Sequence, residues 1–184
     1  MTRYRKNHFI YVLLIMILTT ACDAPNEINE HLRESDSTNL SGEAIDGIEL
    51  GMSISDGTFQ QRYGRLEPDP DNQYYSAQGR QYDQYWLNGI LLGIDRETKE
   101  ILSLSIINNK SSYTGDRIML GDPIEKVISE YGERYYTHQD TEQSIYTIGY
   151  VDHANNLHLS FVHSNNKVTG ISLSYAFDRL VWEK

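Results

Sequence analysis

The sequence predicts an α+β fold in which a helix followed by a three-stranded antiparallel meander occurs twice. The stretch Ile48–Gly64 (IELGMSISDGTFQQRYG) and the stretch Ile118–Gly132 (IMLGDPIEKVISEYG) both open with Ile-x-Leu-Gly and close with Tyr-Gly. Two segments of alternating polarity, Leu102–Ile106 (LSLSI) and Ile171–Tyr175 (ISLSY), lie at an offset of 69 residues. The matching segments keep one order along the chain, which indicates a tandem repeat; their offsets are 67 to 70 residues, except for one strand pair at 62 to 63.

The second phrase predicts a regular amphipathic helix. Asp122 can cap it, Pro123 suits its first helical position, and Gly132 suits a left-handed C-terminal cap. An apolar stripe at the spacing i, i+3, i+4, i+7 defines its buried face: Ile124, Val127, Ile128 and Tyr131.

The first phrase predicts a poorer helix. Ser53 can cap it, with Asp56 three residues later in an arrangement that resembles a capping box. Gly57 weakens a helix by about 1 kcal/mol, and the apolar stripe is less regular. We therefore expect the first helix to be shorter or bent.

Three strands are predicted after each helix, giving one unit over residues 45–112 and another over residues 113–184. In the last strand of each unit, serines face one way and apolar residues the other, because side chains alternate along a strand. The matched strands are Tyr82–Leu87 with Ser144–Tyr150, Ile90–Asp95 with His158–His163, and Leu102–Ile106 with Ile171–Tyr175.

The N-terminus, residues 1–21, predicts a targeting signal instead of a part of the fold. Arg3, Arg5 and Lys6 precede ten apolar residues, Phe9–Leu18. A bilayer span needs about 20 residues, so this length fits the apolar region of a secretory signal. The segment ends at Cys22, the only cysteine of the chain.

The sequence Thr20-Ala21-Cys22 resembles the cleavage site of bacterial lipoproteins, although Thr19 stands where leucine is usual. The resemblance implies cleavage before Cys22, acylation of its sulfur, and anchoring on the extracytoplasmic face of the cell membrane. An ordinary cleaved signal with an incidental cysteine is the alternative.

Charge argues against a nucleic-acid partner. The whole chain carries a formal charge of −10, and removal of three basic residues with the signal would leave −13. Such a surface repels nucleic acid and anionic headgroups. Residues 22–44 hold the expected lipidated cysteine and an acidic stretch with few apolar residues, which predicts a disordered spacer.

In the first unit, Leu-Gly-Met-Ser at residues 50–53 precedes a helix that ends in Tyr-Gly, and a meander follows. A second unit of helix and meander comes next, and both units follow the lipoprotein signal. This arrangement resembles the SmpA/OmlA and β-lactamase-inhibitor-protein-like (BLIP-like) repeat over residues 45–175. The resemblance implies one continuous curved sheet with the helices on one face. In the inhibitor proteins the open face of that sheet binds the target enzyme.

The chain departs from both groups. It has no disulfides and no match to the inhibitory loop, and the SmpA/OmlA proteins have one unit where this chain has two. Neither activity is therefore transferred to particular residues.

No catalytic or metal-binding motif emerges. His153, His158 and His163 are spaced by five, which places His158 and His163 on opposite faces of a strand, while His153 in the preceding turn could approach His158. The acidic stretch Asp69–Asn72 lacks the glycine and glutamate of a calcium loop. No activated nucleophile or glycine-rich phosphate loop is present. The sequence predicts no metal, no cofactor and no enzyme activity.

Tyrosine and tryptophan cluster on the predicted strands, where they serve as binding residues or as ordinary strand residues packed on the pleat. Under the binding interpretation, the contact residues are Tyr82, Tyr85, Trp86, Tyr146 and Tyr150. Because a separation of four keeps two side chains on one face, the pairs Tyr82/Trp86 and Tyr146/Tyr150 are predicted to line the open face of the sheet.

The functional expectation is a membrane-anchored, extracytoplasmic protein-binding module without catalysis, of which an inhibitor is one form. Its partner would be another extracytoplasmic protein. A cell-envelope assembly or structural factor is the alternative, and a metal-dependent hydrolase is a more remote one.

Overall fold

The structure, a computed structural model, describes residues 30–140 and 145–180. The chain divides after Glu34 into two units, and residues 30–34 are the described, helical part of the first. All elements below belong to the second unit. The predicted signal peptide and Cys22 lie outside the described residues. In the parts of the chain that are described, no helix is long and apolar enough to cross a membrane.

The second unit is built on one antiparallel sheet of eight strands, in the order β1-β2-β3-β4-β8-β7-β6-β5. An α+β architecture is therefore present. The strands are β1 (Glu67–Pro68), β2 (Tyr82–Leu87), β3 (Ile90–Asp95), β4 (Ile101–Ile106), β5 (Tyr136–Asp140), β6 (Ile145–Asp152), β7 (Leu157–Ser164) and β8 (Lys167–Tyr175). The helices are α1 (Gly57–Tyr63), α2 (Asn72–Ala77) and α3 (Ile124–Tyr131).

Each half of the sheet has one strand more than the three predicted. The additional strands, β1 and β5, form the two edges. Their sequences, EP and YTHQD, show no apolar alternation from which a strand could be predicted. Pro68 fits an edge strand because its missing N–H leaves no ladder position unfilled.

The two segments with alternating serines pair with each other at the centre of the sheet. Leu104 of β4 lies opposite Leu173 of β8, and Ser105 lies opposite Ser172. Strict alternation predicted that Leu102 and Leu104 face the same side of β4. The pairing of β3 with β4 shifts register near Gly93, and Leu102 is buried but lies outside the main core cluster that contains Leu104.

The loops that lead into α1 and α3 are attached to the sheet by the same backbone contacts. Gly51 N donates to Ile101 O at 2.9 Å, and Gly121 N donates to Val168 O at 2.8 Å. Both glycines have a positive φ, 82° and 93°, which side-chain-bearing residues adopt at an energetic cost. Each loop is thereby fixed just before its helix begins.

The core lies on one face of the sheet, beneath α1 and α3. Phe59 of α1 and Val127 and Tyr131 of α3 belong to the same buried cluster as Leu104 and Leu173. Helix α1 has seven residues and α3 has eight, in keeping with the expected poorer first helix.

Both helix starts differ from prediction. The N-cap of α1 is Asp56, whose Oδ1 accepts Thr58 N at 2.9 Å, so Ser53 does not cap it. The N-cap position of α3 is Pro123, while the Asp122 carboxylate accepts from Met119 N and Lys126 Nζ.

Residues 35–44, here called the strap, are ordered against the sheet. Thr38 N donates to Val151 O at 2.8 Å, and Leu40 N donates to Asp152 Oδ2 at 2.8 Å. The Leu40 side chain is 2% exposed. The prediction of a disordered spacer is thus wrong for these residues. They are held by backbone and carboxylate contacts to partners more than 100 residues away, and local composition carries no sign of such contacts.

Candidate functional site

The face of the sheet opposite α1 and α3 has a floor of small side chains. Ser103 and Ser105 of β4 lie opposite Ser174 and Ser172 of β8, and Ser172 lies opposite Ser160 of β7. Directly opposed residues in antiparallel strands project to one face. These five serines therefore form one patch, the serine floor, in which the Ser105 and Ser172 hydroxyls are hydrogen-bonded at 3.0 Å.

Two tyrosine rings from outer strands lie across glycines beside this floor. A Cβ on Gly93 would be 3.4 Å from the Tyr82 ring and would overlap Ser103 Oγ. A Cβ on Gly149 would overlap the Tyr136 ring. Glycine in the interior of a strand marks such a close approach. Tyr82 and Tyr136 thus bound the floor on its two sides, and the face that carries them is called the serine face below.

On the β5 side, Tyr136 is joined to His158, which lies opposite Ser174. Tyr136 Oη and His158 Nε2 are 2.7 Å apart, and the two rings stack with centroids 5.8 Å apart. Burial lowers the pKa of His158 to about 4 and raises the pKa of Tyr136 to about 12. Both groups are therefore uncharged at neutral pH, and this wall of the floor is aromatic and neutral.

On the β2 side, Trp86 and two carboxylates stand together. Trp86 Nε1 donates to Asp69 Oδ2 at 2.9 Å, and Glu67 lies directly opposite Trp86 in the sheet. This wall therefore combines an indole ring with negative charge.

Arg80 holds the β2 wall in place and was not predicted as a site residue. Its side chain is 1% exposed and donates to Tyr82 O at 3.0 Å, Gln84 Oε1 at 2.7 Å and Asn72 Oδ1 at 2.6 Å. The guanidinium also lies over the rings of Tyr75 and Tyr82, at 4.9 and 5.2 Å from their centroids. A lone arginine before a strand carries no sequence signal for this role.

The predicted contact residues divide between the two faces. Tyr82 and Trp86 lie on the serine face. Tyr85 lies opposite Leu92 and packs against the core. Tyr146 and Tyr150 also lie on the core face; Tyr146 is 41% exposed, whereas Tyr150 is 0% exposed.

The prediction that Tyr146 and Tyr150 line the open face is wrong. One cross-strand row runs from Tyr85 to Tyr150 on the core face, so Tyr150 shares its face with Tyr85 and not with Trp86. Tyr150 contacts no solvent, and its hydroxyl donates to Gly132 O at 2.9 Å.

Some residues of the serine face could have been found in the sequence and others could not. The alternating serines were visible as LSLSI and ISLSY. Tyr136 belongs to the tyrosine cluster of the second unit but was not among the predicted contact residues, because β5 was not predicted, and His158 was considered only as a metal ligand.

The histidines are dispersed as their spacing predicted. His158 is on the serine face, His163 lies opposite Tyr146, and His153 Nε2 is 2.9 Å from Ser35 O. Over residues 30–140 and 145–180, no group of three or more His, Cys, Asp or Glu side chains is placed to hold a metal ion.

A separate pocket of about 460 Å³ opens on the core side of β2. Tyr85 lines it together with Ile54, Gln60 and Lys99, where α1 meets the first half of the sheet. The predicted contact residue Tyr85 is therefore accessible from this pocket and not from the serine face.

Comparison of the chain with models of protein families, with curated proteins and with solved structures finds no match. Its function must be inferred from its own residues.

Proposed function

We propose that this chain is a lipid-anchored, extracytoplasmic protein-binding module that acts without catalysis and engages its partner through the serine face. The observation that carries the proposal is the serine floor between aromatic walls. Ser103, Ser105 and Ser172 are partly exposed, so a partner can approach the sheet closely there, whereas Ser160 and Ser174 are already buried. Tyrosine and tryptophan at the sides supply large contact areas with polar tips, as in the cores of protein interfaces.

The dimensions suit a polypeptide partner. The floor covers β4, β8 and β7, and neighbouring strands lie about 4.8 Å apart, so it is roughly 10 Å wide. A helix with its side chains is about 10–12 Å across. Small-molecule sites are instead enclosed cavities that bury most of the ligand surface.

The hydrogen bonds on the serine face favour binding over nucleophilic catalysis. A catalytic serine needs a base within about 3 Å that is free to take its proton. The Nε2 atom of His158 is already engaged by the Tyr136 hydroxyl at 2.7 Å. Ser105 and Ser172 bond to each other. These contacts fix the floor and are consistent with a rigid recognition surface.

The proposed anchor is an acylated Cys22, on the strength of its resemblance to a lipoprotein cleavage site. From Cys22 to Ser35, where the strap begins, a fully extended chain of 13 residues would reach at most about 45 Å. The strap fixes the other end of this tether beside Val151 and His153. The start of the strap would then lie within that distance of the membrane.

The proposal includes an internal duplication, with the curved sheet and one-sided helices of the SmpA/OmlA and BLIP-like repeat. Two observations support it. Leu104 and Leu173, which occupy equivalent positions of the two sequence units, lie opposite each other where the two halves of the sheet meet. The contacts Gly51–Ile101 and Gly121–Val168 attach both helix-entry loops alike.

The test is crosslinking on intact cells that produce the full-length protein. We expect Tyr82→Ala combined with Trp86→Ala to abolish the main protein adduct, because both rings flank the floor. The matched control is Tyr146→Ala, which removes a 41% exposed tyrosine from the opposite face and should leave the adduct unchanged. An adduct that survives loss of Tyr82 and Trp86 in a folded variant contradicts the proposal.

The same experiment separates the two binding roles. A single partner released by detergent and high salt indicates a regulatory or inhibitor-like module. A complex of several membrane proteins that persists through mild detergent extraction indicates the alternative, an assembly or structural factor of the envelope.

A further inference from the structure

Two rows of directly paired residues cross the strands through the serine floor, and the charge that they carry is negative only. One row runs Glu67, Trp86, Leu91, Ser105, Ser172, Ser160, Gly149, Tyr136. The other runs Gln84, Gly93, Ser103, Ser174, His158, Val151. Neither row contains a lysine or an arginine, and all of their positions are described. Glu67 is their one carboxylate.

A second carboxylate strengthens the negative charge at the β2 wall. Asp69 accepts from Trp86 Nε1 at 2.9 Å, which fixes its carboxylate at the edge of the indole. Glu67 is exposed and lies opposite the same tryptophan. An indole beside carboxylates attracts a cation twice, through the ring quadrupole and through ion pairing.

The nearby positive charge of Arg80 offsets part of this field but is not available for contact with a partner. Arg80 is 1% exposed, and its guanidinium is held by Asn72, Gln84 and Tyr82 between two tyrosine rings. It therefore presents no cationic group to a partner. On the other wall, the Tyr136–His158 pair is uncharged at neutral pH, as described above.

From this distribution we infer that the partner segment recognised by the serine face is rich in lysine and arginine. The inference rests on the proposed function and names the chemistry of its partner. An uncharged floor buries no ion when it is covered, so contact there avoids the desolvation penalty of a buried charge. The negative wall and the net charge of −10 would accelerate the approach of a basic segment and repel an acidic one.

The test places a photo-crosslinking residue, benzoylphenylalanine, at Leu91 of the full-length protein in the cells that produce it. Leu91 lies on the serine face opposite Trp86. The matched position is Ser129, which is exposed on α3 on the other side of the sheet. We expect an adduct from Leu91 and none from Ser129, and we expect the adduct peptide to carry an excess of lysine and arginine.

Charge is tested by Glu67→Gln with Asp69→Asn, because asparagine keeps an oxygen that can accept from Trp86 Nε1. The matched control is Glu130→Gln with Glu133→Gln, which removes the same charge from an exposed region at the end of α3. At low ionic strength we expect the first pair to reduce the adduct yield about fivefold and the control to change it less than twofold.

The outcomes distinguish the two levels of the claim. An adduct at Leu91 to a segment without excess basic residues, or one whose yield ignores the loss of Glu67 and Asp69, overturns the inference and leaves the proposed function standing. An adduct at Ser129 only, or at neither position, overturns the proposed function and the inference with it.

Discussion

Tyr85 and Tyr150 occupy matched ends of one cross-strand row but have different environments. The row runs Tyr85, Leu92, Leu104, Leu173, Leu159, Tyr150 on the core face. Tyr150 is 0% exposed, whereas Tyr85 is half-buried and lines the pocket of about 460 Å³. The same residue type on one sheet therefore belongs to a closed core at one end and to an open pocket at the other.

The difference arises in the layers above the sheet. In the second half, the Tyr131 ring of α3 lies 5.4 Å from that of Tyr150, and the Tyr135 ring lies 6.0 Å away. In the first half, Phe59 is the one buried residue of α1, and Gly57 begins the helix without a side chain. A regular amphipathic helix closes its half of the sheet, and an irregular one leaves a gap.

The strap adds to this asymmetry. Its contacts are to Val151, Asp152 and Tyr131, all in the second half. The second half is thus covered by a helix and by a segment from the N-terminal end of the unit. Two similar strand patterns are therefore buried to different extents, because different segments of the chain cover them.

The largest effect should come from truncating the two tyrosines. We expect Tyr150→Ala to lower the free energy of unfolding by about 3–5 kcal/mol, because it leaves a cavity among packed rings. Tyr85→Ala should cost about 1 kcal/mol, because water already reaches that site. Urea denaturation measures both. As a control, Tyr150→Phe should cost about 1 kcal/mol, since it removes only the hydrogen bond to Gly132 O. Equal losses for the two alanine variants would break the comparison.

The sequence predicted the elements whose pattern is local. Alternating serines predicted β4 and the C-terminal part of β8, and the apolar stripe from Ile124 to Tyr131 predicted α3. It could not predict contacts made across long distances in the chain. The buried apolar residues of the strap are Leu40 and Ala44 only. Glu43, which the sequence suggests is solvent-exposed, is partly buried and accepts a hydrogen bond from Tyr131.

The face assignments show a second limit. Tyr82 and Trp86 were placed correctly because β2 is regular and its spacing is unambiguous. Tyr150 was misplaced because the separation of four showed only that Tyr146 and Tyr150 share a face, and not which face of β6 packs on the core. Register is set by pairing with neighbours, which one strand's sequence does not contain.

The two strand glycines offer a smaller contrast. Gly149→Ala would place a methyl group in the Tyr136 ring, which is stacked on His158 and cannot move without losing that contact. We expect a loss of about 1–3 kcal/mol in stability. In Gly93→Ala the closest atom is the Ser103 hydroxyl, which can rotate away, so the loss should be smaller. Differential scanning calorimetry of both variants checks the order. A larger loss for Gly93→Ala would contradict this description of the walls.

The smallest effect concerns Glu43, through which the strap contacts α3. Burial raises the pKa of its carboxyl above the ordinary value, although hydrogen bonds from Gly115 N, Tyr131 Oη and Ala44 N oppose that shift. The folded state therefore holds this proton to higher pH than the unfolded state, and the Glu43 contribution to stability falls as pH rises through the raised pKa.

In Glu43→Gln, Oε1 can keep both backbone N–H donors while Nε2 donates to Tyr131 Oη, whose proton goes to Thr114 Oγ1 at 2.8 Å. We expect the variant to lose that part of the pH dependence, seen in urea denaturation at a series of mildly acidic pH values. An unchanged slope would mean that the Glu43 carboxyl does not titrate differently in the folded and unfolded states, and that the strap is held by its contacts to Val151 and Asp152.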